Sequence, residues 1–127
     1  HRYYDFVLLS VTKIVTKRFE NEERPLTLDE MSMDYRIPLR LATVMVNRLC
    51  RAGILVEVRT KDLEDAYQPA LDIHKITVAK FFDMVDKDGK ETFRLETLDE
   101  FSNVWDYTLS IRQTLMQVGN NKLVKDL

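Results

Sequence analysis

Few side chains in this 127-residue sequence could do chemistry, and their spacing limits what that chemistry is. The histidines are His1 and His74, and the one cysteine is Cys50. His74 falls in a predicted loop, where a histidine is ordinarily a surface or capping residue. Cys50 lies among apolar neighbours near the end of a predicted helix, so a structural thiol is expected rather than a nucleophile. The run Asp86-Lys87-Asp88-Gly89 has the look of a calcium loop, but the full pattern needs an acid two residues earlier and a Glu six after the glycine. Met84 and Leu95 stand at those places, so an acidic turn is expected there. Three scattered glycines, Gly53, Gly89 and Gly119, cannot build a phosphate-cradling loop, and each follows a predicted helix. No catalytic residue, cofactor or metal is expected from these residues.

Charge placement says more. Between Arg36 and Lys61 stand Arg36, Arg40, Arg48, Arg51, Arg59 and Lys61 against Glu57 alone, a net of +5 in a chain whose net is −2. Arg40, Thr43, Asn47 and Arg51 follow steps of three, four and four, which puts them on one helix face. Arginine and asparagine can read guanine and adenine edges in a major groove, and the other groups can meet phosphates. With Arg36, Arg59 and Lys61 they form a candidate nucleic-acid or partner face. Opposing this, Asp62, Glu64 and Asp65 make the adjoining loop acidic, Leu55 and Leu63 add apolar exposure, and the stretch from Asp83 to Asp106 is acidic. A solvated polar face on a core helix is the plainer alternative.

The elements that must position these residues follow from periodicity. Tyr4, Val7, Leu8, Val11 and Val15 recur at helical spacing, which predicts a helix over 2–20. Pro25 interrupts, and Thr27 with Glu30 forms a capping box flanked by a Leu26–Met31 staple, predicting a short helix over about 28–34. Pro38 opens a third helix, which ends at Gly53 with a buried stripe of Leu41, Val44, Met45, Leu49 and Ala52. This pair reads as a helix-turn-helix. Ile54, Val56 and Val58 alternate with Leu55, Glu57 and Arg59 as a strand, Thr60–Asp65 is a loop, and Ala66–Leu71 returns, with Pro69 restricting it to an edge. That hairpin is a wing. A fourth helix from about Thr77 buries Val78, Phe81, Phe82 and Val85. A fifth, over about 97–118, opens on a Thr97–Glu100 capping box, and residues from Asn120 on are expected to fray. The expected class is therefore mainly α with a small β-hairpin wing, a winged helix-turn-helix plus C-terminal helices. Phe101, Trp105 and Leu109 make a stripe on the fifth helix that is expected to pack on the first helix or to pair two copies as a homodimer.

Composition fits one domain over 1–127, with a core over about 2–90: 45% of residues are hydrophobic and 31% charged. The near-neutral balance argues mildly against DNA as the main partner. One cysteine rules out an intrachain disulfide and suits a reducing compartment. The most apolar stretch, Phe6 to Val15, is interrupted by Ser10, Thr12 and Lys13, so it reads as a core helix rather than a membrane span. A helical pattern that starts at once from His1 leads to the expectation of a piece of a longer protein.

The block Ala66-Tyr67-Gln68-Pro69-Ala70-Leu71-Asp72-Ile73-His74-Lys75-Ile76-Thr77-Val78 resembles the joint between wing and following helix in the C-terminal winged helix of bacterial YihY/BrkB membrane proteins, often labelled ribonuclease BN-like. Arg24-Pro25-Leu26-Thr27 and Ile37-Pro38-Leu39-Arg40-Leu41 extend the resemblance over roughly residues 2–90, leaving the fifth helix unmatched. The resemblance implies a domain at the cytoplasmic face of the inner membrane, following a membrane bundle and partnered by that bundle or by another protein. The nuclease label gains nothing from these residues, which offer no histidine pair or convincing carboxylate cluster. The same architecture occurs in small dimeric winged-helix repressors. Some of those hold iron–sulfur clusters through several cysteines, which one cysteine cannot do. The leading expectation is a non-catalytic interaction domain of such a membrane protein. The alternatives are a DNA-binding regulator that uses the Arg40/Asn47/Arg51 face and part of a tRNA-processing ribonuclease.

Overall fold

A computed structural model describes residues 2–88, 99–120 and 122–127. In chain order the elements are α1 (Arg2–Glu20), β1 (Leu26–Thr27), α2 (Leu28–Tyr35), α3 (Leu39–Arg51), β2 (Leu55–Arg59), β3 (Asp65–Pro69), α4 (Val78–Asp88) and α5 (Ser102–Gly119). Short 3-10 turns cover Ile73–Lys75, Asp99–Phe101 and Val124–Asp126. The chain is mostly helical with a small antiparallel sheet, and it is a winged helix.

The core forms where α1, α3 and α4 meet the sheet. Leu8, Val11 and Val15 of α1 lie against Met45, Val46 and Leu49 of α3, Leu26, Leu55 and Tyr67 of the sheet, and Phe81 and Val85 of α4. Tyr4, expected in that stripe, is exposed, because α1 begins beyond the edge of the core. Thr12 and Thr16 break the apolar run of α1 yet are fully buried. Each hydroxyl donates to a carbonyl one turn back, Leu8 and Thr12 respectively, at 2.8 Å, so neither leaves an unsatisfied polar atom.

The helix-turn-helix is fixed locally. Thr27 Oγ1 accepts from the Glu30 amide at 3.1 Å, and Glu30 accepts from the Thr27 amide at 3.2 Å, completing the capping box. Glu30 also binds Arg18 at 3.0 Å and Arg24 at 2.7 Å, which ties the end of α1 to the start of α2. Burial opposes ionisation of Glu30, but hydrogen bonds from Arg24 and Thr27 outweigh it and hold its carboxyl below the ordinary range. Arg36 closes α2 in the left-handed conformation, and Pro38 caps α3 without a side-chain hydrogen bond. Gly53, at φ 82°, ends the α3 segment in a backbone that other residues rarely adopt.

Three strand expectations change. β1 is a third, two-residue strand that pairs Leu26 with Tyr67 and Thr27 with Ala66, giving the order β1-β3-β2. β3 is therefore central. Pro69 is tolerated because it ends that strand, beyond the reach of β1, and faces Leu55 of β2. Leu55 is buried and Val56 exposed, the reverse of the expected phase, since residues 54 and 55 both turn inward where the chain leaves α3.

The chain's end is also packed rather than frayed. Thr77 and Leu123 form a β-bridge, Val124 is fully buried, and its amide donates to Ile76 at 2.9 Å. Lys125 pairs with Glu20 of α1. Hydrogen bonds from Lys125 and then Lys17 pull the Glu20 carboxyl down to about 2, so the ionised group's contribution is complete above the usual carboxylate range and is lost as pH falls toward 2.

α5 differs from expectation too. It has no buried residue and meets the rest of the fold mainly at α4. Arg112 pairs with Asp86 and donates to the Phe82 carbonyl at 3.5 Å. Gly119 lets the two backbones approach: a Cβ there would sit 3.1 Å from the Ala79 amide nitrogen. The Trp105–Leu109 part of the stripe is thus exposed rather than packed on α1. The Phe101 side chain and the expected Thr97–Glu100 box lie outside the described residues, as does the Gly89 turn.

Candidate nucleic-acid interface

The second helix of the helix-turn-helix presents one polar face. Arg40, Asn47 and Arg51 are exposed on α3, and Thr43 and Arg48 flank them half-buried. The opposite face, Ala42, Met45, Val46 and Leu49, is the core, so the polar face can point only outward. Pinned by the core behind and the α2 cap in front, α3 offers its outer side chains from a rigid helix rather than a loop.

Their hydrogen bonding differs. Thr43 Oγ1 donates to the Leu39 carbonyl at 2.9 Å, so its proton is already used. Arg51 lies 3.6 Å from Asp88 at the end of α4, an acid that remains largely covered. Arg40, Arg48 and Arg36 enter no ion pair among the described residues. Arg36 is exposed in the turn before α3.

The wing holds the other two expected cations. Arg59 on β2 is spent on Asp65 across the hairpin at 3.4 Å, and Lys61 is exposed in the loop. Thr60 organises that loop: its amide donates to the Glu64 carbonyl at 2.9 Å and its Oγ1 accepts from the Glu64 amide at 3.1 Å. Asp62 and Glu64 are exposed beside Leu63, which sits at φ 63° with its side chain in solvent. Burial and the neighbouring Asp65 carboxylate raise the Glu57 carboxyl above its ordinary value. The structure thus gathers Arg40, Thr43, Asn47 and Arg51 on one helix, and puts Arg59 and Lys61 on a separate, acid-rich hairpin.

Sequence reasoning missed two members of this region. Asp88, which pairs with Arg51, is remote in sequence and carried no signal. Val44 was placed in the core stripe, yet it is 51% exposed inside the polar face. Its phase was available: at about 100° per residue it falls between Arg40 and Arg48 around the helix axis.

Among the described residues no three His, Cys, Asp or Glu side chains converge as a metal would need. A groove of about 490 Å³ lies between the end of α1 and β3, lined by Arg18, Phe19, Leu26, Tyr67, Ile73 and His74. Two of these lining groups are engaged: Arg18 with Glu30, and His74 with Asp72 at 3.0 Å. Burial and then Glu57 push the Cys50 thiol upward, away from the reactive thiolate.

No family model matches the chain, and no curated protein matches its sequence. Solved structures do. IscR of T. potens is similar over 97% of this chain and 81% of its own, with a TM-score of 0.66 and 13% identity. CymR (YrzC), the global cysteine regulator of B. subtilis, is similar over 97% and 91%, with a TM-score of 0.65 and 15% identity. CymR of Staphylococcus aureus gives 97% and 93%, 0.64 and 14%. The likeness spans the C-terminal helix that the YihY/BrkB resemblance left unmatched, and it overturns that resemblance. The expectations of an inner-membrane parent, a membrane-domain partner and a ribonuclease, which rested on that resemblance, are left without support. No helix among the described residues is long and apolar enough to cross a membrane.

Proposed function

We propose that this chain is a non-catalytic, DNA-binding transcriptional regulator that works as a homodimer. The observation that carries the reading is the outward face of α3, where Arg40, Asn47, Arg48 and Arg51 project from the second helix of a helix-turn-helix. In this reading Arg40 and Asn47 reach base edges in the major groove, while Arg36, Arg48 and Arg51 meet phosphates. The likeness to CymR, a regulator, supports the same use of the scaffold. The wing contributes little to backbone binding, because its acids offset Lys61 and hold Arg59. The −2 net charge is no obstacle, since the positive charge is concentrated on the segment that includes α3.

Dimerisation rests on α5. Val104, Tyr107, Ile111, Leu115 and Val118 follow steps of three, four, four and three, and all are exposed. They form a second apolar stripe beside the expected Trp105 and Leu109 positions. A helix of this length, exposed along such a stripe, is suited to packing on its own copy. Selection from a random duplex library with the whole chain tests the reading. Enrichment of an inverted repeat whose half-sites lie about one helical turn apart is the expected outcome. Failure to enrich any sequence contradicts it.

A further inference from the structure

Val44 is the one apolar side chain set inside the charged arc of α3. At about 100° per residue it lies roughly 20° from Arg51 and 40° from both Arg40 and Arg48. Leu39, also exposed, stands outside that arc, about 100° from Arg40. Nothing in the fold accounts for a valine at this place. It is 51% exposed, the core is filled by its neighbours Met45 and Val46, and a β-branched residue is a weaker helix former than alanine. Its surroundings distinguish it from scattered surface hydrophobes: a rigid, outward pair of methyl groups is presented among side chains suited to guanine, adenine and phosphate.

The major groove has one apolar feature, the 5-methyl group of thymine. We propose that Val44 is a specificity-determining residue that reads a thymine by packing its methyl groups on that 5-methyl group. The proposal rests on the DNA-binding reading above and adds the base that α3 selects. Arg40 and Asn47, bracketing Val44 along the helix, would hold it in register over that base pair.

The test uses the duplex recovered by selection and replaces each thymine in turn with deoxyuridine, which removes only the methyl group. Burial of one methyl predicts that wild-type affinity falls about fourfold at one position per half-site and is unchanged at the others. Val44→Ala should weaken binding to the thymine duplex and shrink the difference between thymine and uracil. Val44→Thr, which keeps one methyl group, should retain more of it. Because residue 44 is exposed, neither variant should melt appreciably below the wild type, with Ala at or slightly above it, and an Ala variant with a lowered melting temperature would contradict the surface role. Specific binding that is indifferent to every thymine methyl overturns the proposal while leaving the regulator reading standing. So does a uracil effect that persists undiminished in Val44→Ala. Absence of any DNA binding overturns both.

Discussion

α3 and α5 each expose a stripe at helical spacing, yet the stripes are opposite in kind. On α3 the exposed polar positions are Arg40, Asn47 and Arg51 around Val44, and the helix is held from behind by Met45, Val46 and Leu49. On α5 the exposed positions include the apolar stripe Val104, Tyr107, Ile111, Leu115 and Val118, and no residue of that helix is buried. A charged stripe on a supported helix suits a polyanion, with an affinity set by counterion release. An apolar stripe on a barely supported helix is a surface that water disfavours, and an identical stripe can cover it. In the proposed reading, one helix meets something chemically unlike itself, and the other meets its own copy.

That contrast can be broken most severely on α5. Ile111→Glu with Leu115→Glu places two carboxylates in the proposed dimer seam, and the dimer dissociation constant should rise on the order of a hundredfold or more. Sedimentation analysis reads it directly. The isolated fold should survive, since both residues are exposed. Unchanged association would remove α5 from the interface. A smaller effect sharpens the α3 side. Asp88 lies 3.6 Å from Arg51 and holds part of its charge. Asp88→Asn should release that arginine and raise DNA affinity about threefold at low salt, in line with a surface pair worth under about 1 kcal/mol. An unaltered binding isotherm would show that Arg51 does not contact the duplex.

How much of this was legible in the sequence depends on how local each feature is. The bounds of α1, the Thr27–Glu30 capping box and the Gly53 stop rest on neighbours within a turn, and all stand in the structure. β1 spans two residues and exists only because β3 passes beside it, a partnership no local pattern encodes. Val124 is buried by α1 and Ile76, far away in sequence, where composition alone suggests a loose end. On α3, Arg40, Asn47 and Arg51 are exposed, as their spacing predicts. Val44 is exposed against expectation, because an apolar residue one step from the core arc is assigned inward by hydrophobicity and outward only by phase. The misleading wing-joint resemblance rests on residues with local roles: Asp72 accepts from the His74 amide, Ile76 is buried, and Thr77 accepts from the Lys80 amide at the start of α4.

The proposed function requires α3 to be the surface that meets DNA. The most direct measurement is the affinity for the selected duplex between 50 and 200 mM salt, for the wild-type chain and for Arg40→Ala with Arg51→Ala. A dimer that neutralises about six phosphates through Arg36, Arg48 and Arg51 predicts a log–log slope of about −5.4, and loss of the two Arg51 side chains should flatten it by about 2 while loss of Arg40 lowers affinity. Wild-type binding that is absent at 50 mM salt, or a slope that the double variant leaves unchanged, would contradict it.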